Sequence, residues 1–186
     1  MTLALSAVAV AVLVVASLGF LLARWWLQAR GTRLVECPET HQPVAIELDV
    51  KHLLATSLAA ASDYRLRDCT RWPERAGCGQ MCLAQVEEAP ERCLVRNILG
   101  QWYEGKACSY CGHAIAPIHW HDHRPGLKTP DDRVFEWSEI PVETLPEVLR
   151  DARAVCWNCM TTEGFRRAHP ELVIERPRPP RLHPPA

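Results

Sequence analysis

The sequence lacks an excess of charge of either sign: 21 Lys and Arg stand against 22 Asp and Glu, a net charge of -1. Proteins that grip phosphate backbones carry a basic field, so nucleic acid is not an expected partner. A complete catalytic constellation is also missing. No Cys-x-x-Cys-His is present, because Gly112 follows one Cys-x-x-Cys and Met160 the other; this excludes covalent haem attachment. Neither pair opens a helix within a βαβ pattern, which argues against a thioredoxin-like redox motif. Charge is absent altogether from Leu3–Ala23. No Lys or Arg precedes that stretch and no clear Ala-x-Ala site follows it, so it does not read as a cleaved signal peptide. Cysteine and proline are abundant instead, at nine and fifteen residues. Cysteines at this density imply either disulfides or bound metal.

The uncharged stretch is long enough to cross a hydrocarbon core of about 30 Å as a helix. Arg24-Trp25-Trp26 follows it, an interfacial pattern. The expectation is a single-pass transmembrane helix in the cell's inner membrane, with the bilayer as a partner. Arg24, Arg30 and Arg33 lie after the span, and the positive-inside rule then places the remainder in the cytoplasm. In a reducing compartment the cysteines persist as thiols or metal ligands.

Beyond the span, Val44, Ile46, Leu48 and Val50 alternate with Ala45, Glu47, Asp49 and Lys51, the period of a half-buried strand. His52–Ala61 suits a short helix. Cys78 and Cys82 are four apart and would share a helix face. Pro90 opens a helical stretch, Glu91–Tyr103, with Leu94, Ile98 and Trp102 on one stripe and Gly105 after it. Ala114–Trp137 reads as a β-hairpin with turn signals at Pro125-Gly126 and Pro130-Asp131-Asp132. Thr144–Ala152 reads as a helix, and Thr161 or Thr162 can cap another running to Ala168. Arg176–Ala186 is rich in Pro and Arg and is expected to be disordered.

Cys108-Ser-Tyr-Cys111 and Cys156-Trp-Asn-Cys159 carry the clearest chemistry. Two thiolates separated by two residues turn inward onto one ion, and a second such pair closes a tetrahedron. Zinc is the expected metal, with rubredoxin-like iron as the alternative, since four thiolates accept either. A second set comes from Cys69, Cys78, Cys82 and Cys93, with Cys37 as the replacement ligand. A second zinc and an iron–sulfur cluster both remain open there, although the spacing matches neither ferredoxin pattern. Some of these residues could equally be buried structural cysteines. His119, His121 and His123 would chelate a metal together on a strand.

Cys108–Gly112, the hairpin, and a second knuckle at the start of a helix resemble a treble-clef or zinc-ribbon module over roughly residues 107–169. That resemblance implies a structural zinc held by Cys108, Cys111, Cys156 and Cys159. Asp122-His123 also resembles the Asp-His pair of an HNH-type nuclease core, which implies a His base and a divalent metal. No Asn stands at a convincing position between hairpin and second knuckle.

The fold expectation is therefore α+β: a transmembrane helix and flank over residues 1–30, a Cys-rich region over 31–105, a four-cysteine zinc module over 106–175, and a tail over 176–186. The expected function is a non-catalytic, membrane-anchored zinc protein that binds a protein partner or membrane complex. The alternatives are a tethered iron electron-transfer protein and an HNH-like nuclease.

Overall fold

In the computed structural model, residues 2–58, 63–75 and 77–174 are described. The Pro/Arg-rich tail and Ala61 of the expected His52–Ala61 helix lie outside them. The chain divides into two compact units, one of residues 1–104 with 140–150, the other of residues 105–139 with 151–186.

The first unit opens with helix α1 (Thr2–Ala29), 28 residues long. Among the described residues, no helix is long and apolar enough to cross a membrane. This corrects the expected transmembrane anchor of the fold class. It equally removes the single-pass inner-membrane localisation and the cytoplasmic side inferred from it. The lack of charge over Leu3–Ala23 makes a long helix of this stretch, and composition alone does not make that helix a membrane span.

Strands β1 (Arg33–Glu36), β2 (Pro43–Leu48) and β3 (Leu66–Cys69) form an antiparallel sheet in that order. Ile46 of β2 stands between Arg33 and Cys69. Strict alternation does not hold in β2, where Val44, Ala45 and Ile46 are all buried. The core joins Val35, Val44, Ile46, Leu48, Leu66, Cys69, Cys82, Leu83 and Val86. Helix α2 (Val50–Leu58) starts where Asp49 accepts the N–H groups of Lys51 and His52, an N-terminal cap supplied by a side chain. Short helices α3 (Trp72–Arg75) and α4 (Leu83–Glu88) follow β3. Cys78 and Cys82 therefore do not share a helix face: Cys82 is the residue before α4, and residues 78–80 have no regular structure. Helix α5 (Val95–Tyr103) buries Val95, Leu99 and Tyr103, the stripe one residue beyond the expected one. Helix α6 (Leu145–Asp151) begins after a 3-10 turn at Val142–Thr144, and the Trp102 indole N–H donates to Leu149 O at 2.9 Å.

The second unit holds strands β4 (Gly126–Lys128), β5 (Val134–Glu136) and β6 (Arg153–Val155), with β4 in the centre. The hairpin is β4–β5, closed at a turn in which Thr129 and Arg133 are hydrogen-bonded. Residues 115–123 contain no strand. Helix α7 (Trp157–Ala168) follows β6 directly, several residues before Thr161. It lies against Gly126: a Cβ there would stand 2.6 Å from Met160 Sδ and 3.0 Å from Phe135 O. Hydrogen at that position is what lets the helix approach β4.

Candidate metal centre

The first knuckle is a tight turn between two short backbone pairings. Cys108 N–H donates to His113 O at 2.8 Å, Gly112 N–H donates to Cys108 O at 2.9 Å, and Ala107 bridges Ala114. The turn closes through a left-handed residue, Gly112, at φ 76°. Glycine takes that conformation without the Cβ penalty of other residues. The second knuckle is built differently. Cys156 is extended at φ -69° and ψ 156° and sits at the cap position of α7, so Cys159 falls in the first helical turn. A helix N-terminus favours negative charge, and thiolates are such charges. Ser109 N–H donates to Ala154 O at 2.8 Å, which ties the first turn to the strand leading into the second.

These two local geometries bring Cys108, Cys111, Cys156 and Cys159 together with all four sulfurs within 4.8 Å of one another. Cys111 Sγ and Cys156 Sγ are 3.8 Å apart. With Zn–S bonds of about 2.3 Å, the edge of a tetrahedron of sulfurs is about 3.8 Å. The donor set therefore fits a four-thiolate ion in both chemistry and dimension. Burial raises the Cys108 thiol, but the N–H groups of Cys111, Cys156 and Tyr110, with the Cys156 thiol, outweigh it and bring the group down to about 6. Burial pushes Cys156 and Cys159 up, and for Cys159 the neighbouring thiols act in the same direction. Four sulfur donors this close together could hold one metal ion.

A groove of about 640 Å³ runs beside the site, lined by Cys111, Ile115, Ile118, His119, Pro125 and Trp157 among others. His119, His121 and His123 do not form a chelating group among the described residues, because they lie on a turn and not on a strand. His123 Nδ1 is 2.8 Å from Asp122 Oδ2, and its ring meets Trp157 edge-on at 4.4 Å.

The other five cysteines lie in the first unit. Cys69 and Cys82 are buried in its core, with Cys37 and Cys93 packed against it. Cys93 Sγ donates to Gln85 O at 3.6 Å. All nine cysteines are free thiols. In comparison with other proteins, the chain matches no family model, no curated protein and no solved structure. The sequence-level likeness to treble-clef and zinc-ribbon modules thus rests on the cysteine site alone.

Proposed function

We propose that this chain is a zinc-stapled structural and interaction module of treble-clef or zinc-ribbon type. The observation that carries the reading is the convergence of Cys108, Cys111, Cys156 and Cys159 from two knuckles onto one tetrahedron-sized volume. The order of knuckle, β4–β5 hairpin, β6 and helix-borne knuckle supports the family likeness. Zinc bound there supplies a redox-silent cross-link between segments 45 residues apart in sequence. The residues around it form the apolar groove that such a module offers to a protein partner.

Elemental analysis of the full chain, purified without oxygen, tests the proposal. Stoichiometric zinc that falls by one equivalent in a Cys111→Ser variant supports it. Stoichiometric iron at the same residues makes the protein an electron carrier instead. A wild-type chain whose metal content is indifferent to Cys111→Ser refutes both readings.

A further inference from the structure

The loop after β1 repeats the first knuckle in backbone detail. Cys37 N–H donates to Gln42 O at 2.9 Å, as Cys108 does to His113, and His41 N–H donates to Cys37 O at 2.8 Å, as Gly112 does to Cys108. The fifth residue of each turn is left-handed: His41 at φ 55°, Gly112 at φ 76°. The Cys37 sulfur accepts the N–H groups of Glu39 and Thr40, two and three residues on, the same offsets as Tyr110 and Cys111 from Cys108. Backbone N–H groups aimed at a sulfur stabilise a thiolate. His41 is a strained choice at such a position, so something holds this turn in shape. Thr40 stands where the first knuckle has its second cysteine, so Cys37 needs ligands from elsewhere.

The sheet supplies them. The β1–β2 loop and the end of β3 lie at the same end of the sheet, because β2 runs antiparallel to both and Thr70 N–H donates to Ala45 O at 3.0 Å. Cys69, the last residue of β3, is therefore carried to the Cys37 turn, and its sulfur accepts the N–H of Arg71. The loop carrying Cys78 and Cys82 is tied back to β3 by Gln80 Oε1, which accepts Leu66 N–H at 3.1 Å. Cys37, Cys69 and Cys82 pack in one cluster. Cys78 stands two residues before Gln80 and Cys82 two residues after it on the loop so tied. Cys93 packs against the same core, but its thiol donates to Gln85 O at 3.6 Å and the charge facing it is Arg33.

We infer that Cys37, Cys69, Cys78 and Cys82 form a second four-thiolate site for a divalent, sulfur-seeking ion of the zinc class, with Cys93 outside it. These sulfurs are not drawn within 4.8 Å as the first four are. In their place Arg71 Nη1 donates to Cys37 Sγ at 3.0 Å and supplies the local positive charge. Glu39 lies 3.8 Å from Arg71 and 3.6 Å from Arg75, so the guanidinium has a carboxylate to turn to when a cation enters.

The test uses the full chain and two readouts. Zinc analysis is expected to give two equivalents per wild-type chain, one for Cys78→Ser, one for Cys111→Ser and two for Cys93→Ser. Because Cys78→Ser could fail to fold, the wild-type zinc form is also treated with iodoacetamide and mapped by mass spectrometry. Cys37 and Cys78 are expected to stay unmodified until a chelator is added. One zinc in the wild type, or Cys78 labelled equally with and without chelator while Cys111 stays protected, overturns the second site and leaves the first intact.

Discussion

The two units solve the same problem with different means. In the first, Ile46, Leu94, Leu99 and Val86 are essentially inaccessible, and a sheet and several helices share a conventional apolar core. In the second, Cys108, Leu127, Ala154 and Val155 are the buried apolar side chains among the described residues, with Pro125 beside them. At about 25 cal/mol per Å² of apolar area buried, four such side chains cannot offset the ordering of some sixty residues. The contrast teaches where a bound ion would matter most. A four-thiolate centre is a cross-link that replaces a core, and the unit with the thinner core carries the tighter cluster.

The largest expected effect breaks the contrast at its metal end. Cys159→Ala should unfold the second unit, since structural zinc contributes on the order of 10 kcal/mol in small domains. Hydrogen exchange should show lost protection in β4, β5 and β6 with β1–β3 unchanged; equal loss in both sheets would mean the units are not separately stabilised. At the other end, Ile46→Ala should cost the first unit about 2–5 kcal/mol by cavity formation. Denaturation should show this without any drop in metal held by Cys108 and its partners. Gly126→Ala forces Met160 and Phe135 O away from a new Cβ and should cost about 1–3 kcal/mol. A Gly126→Ala/Met160→Ala double variant should be less than additive, and strict additivity would place the strain elsewhere. The smallest effects separate the two turns. Gly112→Ala should destabilise by about 1 kcal/mol, whereas His41→Gly should stabilise by about the same amount, because both positions are left-handed and only one holds glycine. The exposed His41–Glu36 pair at 2.9 Å is too solvated to reverse that sign.

The cluster of Cys108, Cys111, Cys156 and Cys159 was legible because its geometry is local. A Cys-x-x-Cys pair writes its own turn, and Gly112 announces the left-handed residue that closes it. The five other cysteines resist such reading. Cys37 and Cys69 meet only through the antiparallel pairing of β1, β2 and β3, a relation that linear spacing does not encode. Helix α7 starts earlier than the capping threonines suggested, because the thiol-bearing Cys156 itself takes the extended cap position. The apparent alternation in β2 concealed three successive buried residues, since Ala45 is small enough to be covered on the second face. The stripe on α5 was misplaced by one position for a related reason: Leu94 and Val95, and again Ile98 and Leu99, are both apolar, so the pattern alone does not say which face turns inward. The uncharged N-terminal run announced a helix correctly and a membrane span incorrectly, because the absence of charge fixes a helix's composition and leaves its environment open.

Residues 140–150 belong with the first unit although the second unit begins at Gly105. During synthesis the first unit therefore cannot complete itself when residue 104 leaves the ribosome. It waits about 2–9 s for its last segment at translation rates of roughly 5–20 residues per second. Cys108 and Cys111 emerge within that interval, and Cys156 and Cys159 follow just after it closes. The order of translation thus has the apolar unit sealed by α6 immediately before the last pair of thiols joins Cys108 and Cys111.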